Sequence, residues 1–186
     1  ISSFYFKTAE NSSPENEQQQ EAILFLSNYT FDVSVMQIII SILNGNKLII
    51  LPTSMTFGDS DSYDYLNDHG LSIITGTPSQ LQHIDLGRLN HLNNLCVGGE
   101  RYNLNYFREN FDGLIMHVYG LTETTIINTV EMFTSDDKFV NSIGKPLANT
   151  FIYILDEHMR VVPPGAIGEL YITGNCLARG YLNLPE

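Results

Sequence analysis

Basic residues are scarce: nine Lys and Arg stand against 21 Asp and Glu in 186 residues, a formal net charge of −12. With no basic stripe to release counterions, nucleic acid and anionic membrane surfaces are poor partners. Cysteine is scarcer still. Cys96 and Cys176 lie far apart and fit no metal or redox spacing, so a reducing cytosol is the expected setting. Long apolar runs are missing too. The most apolar window, residues 33–43, is interrupted by Ser34, Gln37 and Ser41 and is too short to cross a bilayer. The opening residues ISSFYFK have no basic stretch followed by an apolar core, so they do not read as a signal peptide. No GxxxxGK[ST] phosphate loop occurs.

What is present suits a globular domain: 43% hydrophobic and 16% charged residues, in a chain long enough to bury roughly 70% of its unfolded surface. Starting without Met and stopping in LNLPE, the chain reads as an excised piece of something longer. Residues 8–21 (TAENSSPENEQQQE) are polar and offer little to bury, which predicts a mobile loop.

From residue 22 apolar strand-length runs alternate with helical segments. The runs are 22–27, 47–52, 71–78, 92–99 and 114–120; the helical segments are 33–43, 61–70, 78–84 and 103–111. Asp32 or Ser34 can cap the first helix, and Gly45 can close it in a left-handed conformation. Continuous apolar strands separated by helices predict an α/β fold, a mostly parallel sheet with helices on both faces. After about residue 140 the helices vanish. Residues 149–156, 160–165 and 168–174 read as antiparallel or barrel-like strands. The expected organisation is a truncated helix and loop over 1–21, an α/β unit over 22–140, and the start of a β-barrel over 141–186.

In an open parallel sheet, ligands gather at the carboxyl ends of the strands. The exits here are Thr75-Gly-Thr-Pro, Gly98-Gly99-Glu100, and Tyr119-Gly120-Leu-Thr122-Glu123. A Tyr ring can stack on a base, Gly120 lets the chain turn sharply, Thr122 can touch phosphate, and Glu123 can hold Mg²⁺ through hard oxygens. Taken singly, the same residues also serve as a core-edge Tyr, a helix-capping Thr and a first-turn Glu.

Three runs, VYGLTETT (118–125), GELYITGNCLARGYLNLPE (168–186) and FDVSVMQIIISILNG (31–45), joined by SIGKPLANTFIYILDEHMRVVPPG (142–165), resemble the adenylation domain of a nonribosomal peptide synthetase. That family belongs to the AMP-forming ligases, with acyl-CoA synthetases and luciferases. The resemblance covers nearly everything from residue 22 onward. It implies a flavodoxin-like α/β subdomain followed by the start of a β-barrel subdomain, ATP and Mg²⁺ as cofactors, an amino acid as substrate, and a phosphopantetheine carrier domain as partner in the full-length synthetase.

Carried over by position, the resemblance gives Asp32 the α-ammonium of the amino acid. A carboxylate in an apolar pocket is costly until a cation neutralises it, which makes that role sensible. Tyr119 stacks on adenine, Thr122 touches phosphate and Glu123 binds magnesium; Thr122 and Glu123 are the catalytic pair. Gly98, Gly99 and Glu100 flank the adenine and the amino-acid carboxylate. The side-chain pocket falls on Val33, Met36, Thr75, Cys96, Gly98, Val118, Ile126 and Ile127. That lining is apolar apart from Thr75 and Cys96, and an unpaired polar side chain would be costly there, so an apolar amino acid is expected. Gly98 makes room in it, whereas Met36, Ile126 and Ile127 fill it.

His117 stands at the adenine edge where the family most often has Asn, and Leu121 replaces the usual Pro beside Gly120. The family's Ser/Thr/Gly-rich phosphate loop is absent, and Lys7, Lys47, Lys138 and Lys145 sit in no such setting. Its later TGD-type motif and mobile C-terminal domain are absent too. The piece alone is therefore expected to be nearly inactive, and to self-associate through faces that the missing subdomains would cover. The alternatives are an acyl-CoA or other carboxylic-acid ligase of the same superfamily, and a non-catalytic α/β interaction module.

Overall fold

The computed structural model describes residues 20–184 except 102, 104, 135, 136 and 138–141. The loop expected over 8–21 lies outside the described residues, save for its last two. The strands are β1 (Ala22–Leu24), β2 (Lys47–Ile49), β3 (Ile73–Gly76), β4 (Asn94–Gly98), β5 (Leu114–Tyr119), β6 (Thr129–Phe133), β7 (Lys145–Pro146), β8 (Thr150–Leu155) and β9 (Glu169–Gly174). The helices are α1 (Asp32–Asn44), α2 (Ser60–Asp68), α3 (Pro78–Leu81) and α4 (Asn105–Asn110).

Seven strands form one sheet in the order β2-β1-β3-β4-β5-β6-β7. The first five pair in parallel; β6 and β7 join antiparallel, with Val118 opposite Val130 and Val130 opposite Lys145. The sheet thus extends two strands beyond the five parallel ones, and it reaches Pro146. Among the described residues, 150–174 contribute a separate two-stranded antiparallel ribbon, β8 with β9, and no closed barrel. Residues 160–165, expected as a strand, give only the bridge Val161–Leu155. Pro163 and Pro164 bring no N–H to a ladder there.

Both faces of the sheet are covered, which is why its strands are apolar without alternation. Leu24, Ile74, Leu95, Val97 and Ile115 face Tyr63 and Leu66 of α2, Leu81 of α3 and Phe107 of α4. Ile23, Ile73, Cys96 and Met116 face Met36 and Ile40 of α1. Each such fully buried side chain is worth about 1.5–3 kcal/mol. The far side of α1 is apolar as well, and Val35, Ile38, Ile39, Ile42 and Leu43 are exposed.

Helix α1 ends as expected, with Gly45 left-handed at φ 66° and its N–H bonded to the Ile42 carbonyl. Its start differs. Phe31 is the N-cap, with no side-chain cap bond, and Ser34 donates to the Tyr29 carbonyl at 3.2 Å. Asp32 sits in the first turn, where its charge favours the helix dipole without capping it. At α3 the cap is a full box: the Thr77 side chain accepts from the Gln80 N–H, and the Gln80 amide oxygen accepts from the Thr77 N–H.

Candidate functional site

The strand order reverses between the parallel neighbours β1 and β3, so their carboxyl ends flank a crevice where loops part to either side. A buried amide fixes its width. Gln37 of α1 accepts from the Ser27 N–H at 3.3 Å and donates to the Thr75 carbonyl at 3.2 Å, tying one strand exit to the other. The β1–α1 loop is shaped by Asn28, whose side-chain oxygen accepts from both the N–H and the hydroxyl of Thr30.

A cavity of about 580 Å³ opens here. Asp32, Val33, Met36, Thr75, Gly98, Gly99, Val118, Gly120, Thr122, Glu123, Ile126 and Ile127 all line it. Ser27, Asn28, Thr30, Phe31, Gly76, Thr77, Gln80 and Leu121 complete the wall. A polar cavity of about 440 Å³ at the opposite, amino-terminal edge holds none of the expected residues.

Four expected residues lie elsewhere. Cys96 is buried one strand away from Thr75, its register partner, and packs with Met36 and Met116 beneath the cavity instead of lining it. Burial pushes its thiol up to about 12, partly countered by the Thr75 side chain, so it is a neutral core group. Glu100 turns toward α3, where its carboxylate accepts from both the N–H and the hydroxyl of Ser79. The Ser79 hydroxyl holds that carboxyl below the ordinary carboxylate value. His117 and Tyr119 of β5 stand outside the lining. The Ser142 carbonyl, 2.8 Å from His117 Nδ1, can only accept, so that nitrogen carries a proton.

Around the apolar floor, Asp32 is half-buried, and among the described residues no hydrogen bond or ion pair engages its side chain. The Glu123 carboxylate, at the mouth, accepts the Tyr181 hydroxyl at 2.9 Å. Its own backbone N–H and then that hydroxyl hold it below the ordinary value. Residues 176–181 lie along this mouth: Ala178 N–H donates to the Glu123 carbonyl at 2.7 Å, and the Thr125 hydroxyl to the Cys176 carbonyl at 2.6 Å. No group of three or more His, Cys, Asp or Glu able to cage a metal occurs among the described residues. One exposed carboxylate beside a Thr instead fits Mg²⁺ that arrives on phosphates, since that ion commonly takes one or two carboxylates plus its substrate.

The loop after β5 is tightly folded. Gly120 does not take a positive φ; it is needed because a Cβ there would collide with the backbone of Ile126 and Ile127. Gly98 is likewise a close-approach residue, as a Cβ would strike the Val118 carbonyl and side chain. Thr125 and Ile126 have φ of 62° and 70°, and the Ile127 N–H donates to the Thr125 carbonyl in a γ-turn centred on Ile126. β-branched residues rarely adopt such angles, at about 1–3 kcal/mol each.

The fold is thus a switch-point α/β sheet whose cavity joins a lone carboxylate, an apolar floor and a Thr–Glu mouth. The chain belongs to the AMP-binding enzyme family, which it matches over residues 2–182. It is 44% identical over 173 residues to N-(5-amino-5-carboxypentanoyl)-L-cysteinyl-D-valine synthase of Amycolatopsis lactamdurans, a match covering 91% of this chain and 5% of that protein. Similarity to bacitracin synthase 3 of Bacillus licheniformis is 34% over 177 residues, covering 90% and 3%. A holo four-domain nonribosomal peptide synthetase solved with AMP and glycine superposes with a TM-score of 0.74 at 30% identity, covering 87% of this chain and 12% of that one. The N-terminal subdomain of Klebsiella oxytoca NpsA shares the fold, with a TM-score of 0.73 at 21% identity. The chain therefore spans about one-twentieth or less of these curated relatives, and its resemblance to nonribosomal peptide synthetase adenylation domains stands.

Proposed function

We propose that this chain is the amino-acid-selecting part of an adenylation domain, which activates an apolar amino acid with ATP for nonribosomal peptide synthesis. The observation that carries the reading is Asp32: a carboxylate with no hydrogen-bond or ion-pair partner among the described residues, on an apolar-floored cavity that also opens onto Thr122 and Glu123. Asp32 neutralises the α-ammonium, and Val33, Met36, Val118, Ile126 and Ile127 receive the side chain. The substrate carboxylate oxygen then bonds to the α-phosphorus of ATP, the α–β anhydride bond breaks, and pyrophosphate leaves with the electron pair. Thr122 orients phosphate oxygens, and Glu123 would hold Mg²⁺, which would supply neutralisation of the phosphate charge. Positioning and charge neutralisation supply most of the acceleration in such transfers.

The product passes to a phosphopantetheine carrier domain of the same synthetase. On this reading the 186-residue piece alone is inactive, and the exposed apolar side of α1 supports its self-association; a clean monomer in light scattering would overturn that last point. The central test is exchange of labelled pyrophosphate into ATP by the full-length chain with each of the twenty amino acids. Exchange with apolar amino acids is expected. Exchange driven only by carboxylic acids lacking an amine would assign the domain to the acyl-ligase branch instead.

A further inference from the structure

We infer that Asn128 is a positioning residue for substrate selection: its buried side chain staples loop 119–128 into the strained shape that puts Ile126 and Ile127 on the cavity wall. The inference rests on the proposed amino-acid activation. Asn128 is fully buried, and it lines nothing itself. Every polar atom of its side chain is engaged within the loop. Its oxygen accepts from the Leu121 N–H at 3.3 Å and from the Thr124 hydroxyl, and its nitrogen donates to the Thr124 carbonyl at 2.8 Å. Its backbone N–H donates to the Tyr119 carbonyl at 2.8 Å, and its own carbonyl accepts from the Leu147 N–H at 2.8 Å. One residue thereby fixes the loop at its entry, its middle and its exit.

The loop needs such a fastening. Two successive β-branched residues at positive φ persist only where their surroundings over-determine the conformation. The other restraints at that point are the bond from the Thr125 hydroxyl to the Cys176 carbonyl and the backbone bonds from the N–H groups of Thr125, Ile126 and Ile127 to the Thr122, Leu121 and Thr125 carbonyls. Without the amide, the Leu121 N–H loses its buried acceptor, the Thr124 hydroxyl keeps only the Leu121 carbonyl at 3.2 Å, and Thr125 and Ile126 can relax to negative φ. Ile126 then swings, and the cavity changes shape on the side facing Met36.

The test uses Asn128→Leu, which keeps the branching and the number of side-chain heavy atoms and removes all three side-chain bonds, in the full-length chain. Pyrophosphate exchange across the aliphatic and aromatic amino acids is expected to show KM for the preferred substrate up at least tenfold and discrimination among apolar substrates flattened. Hydrogen exchange of the peptide covering 119–128 is expected to quicken at least tenfold in Asn128→Leu. Should that variant fail to fold, Asn128→Asp keeps the acceptor oxygens and is expected to give a smaller rise in KM. A wild-type substrate profile in Asn128→Leu, or unchanged exchange in 119–128, overturns the inference. If the wild-type chain activates no amino acid, the functional reading fails by itself, and the hydrogen-exchange arm still decides whether Asn128 holds the loop.

Discussion

Replacing Asp32 by Asn removes a charge and almost no volume. Two unit charges 4 Å apart interact by about 1 kcal/mol in bulk water and about 4 kcal/mol at the effective permittivity near a protein surface. Asp32 is half-buried against Val33, Met36 and Ile127 along the same cavity, so the upper part of that range applies. A loss of about 2–4 kcal/mol corresponds to roughly 30- to 700-fold in kcat/KM for the amino acid, at 1.4 kcal/mol per decade. The fold should barely notice. No side-chain partner is lost, and only the first-turn charge on α1 goes, worth about 0.3–1 kcal/mol. Pyrophosphate exchange with the full-length chain measures the first effect and thermal denaturation the second. A paired substrate supplies the control: the same side chain on a carboxylic acid without the amine should be handled alike by both enzymes. A loss below about fivefold, the limit set by the water value, would refute the reasoning. So would an equal loss with the amine-free acid.

Three further outcomes are expected. Cys96, buried and with its thiol pushed up to about 12, should resist alkylation at mildly alkaline pH, whereas the half-buried Cys176 should label; mass spectrometry of the native chain reads both, and rapid labelling of Cys96 would contradict its placement. Glu100, lowered mainly by the Ser79 hydroxyl, favours the fold at pH above the ordinary carboxylate range, and that contribution is lost as pH falls through the lowered value. A carboxyl NMR titration should accordingly move upward in Ser79→Ala. Gly120→Ala should destabilise the chain by about 1–3 kcal/mol in thermal denaturation, because the new methyl meets the backbone of Ile126 and Ile127; an unchanged midpoint would show that the loop yields.

The parallel half of the sheet was readable because burial on both faces forces unbroken apolar runs such as IITG and NLCVG, with helical segments between them. Strands β6 and β7 were not. TVEMF carries Glu131 and an exposed Met132 on an antiparallel margin, and a two-residue KP strand has no pattern to detect. In the cavity, the positions that reached the wall were those at strand exits and on α1. Cys96 did not: it shares a face of β4 with Gly98, two residues on, but lies one step deeper, packed with Met36 and Met116 in the layer under α1. The expected cap at Asp32 failed for a local reason: the Asn28–Thr30 turn delivers the chain with Phe31 at the boundary. Asn128 and Tyr181 escaped notice because their partners are far from obvious in a linear reading. An Asn before a strand and a Tyr in a terminal turn look ordinary until the folded loop brings Thr124 and Glu123 to them.

Asp32 and Met36 stand four residues apart on one rod, hence about 6 Å along its axis. On the function proposed above, a feature common to all monomers and a feature peculiar to one would thus be sensed on neighbouring turns of a single rigid element. Exchanging the deeper residue changes which monomer fits while the shallower one stays put. Such a layout lets a lineage shift its choice of building block by small steps without rebuilding the grip that every building block shares.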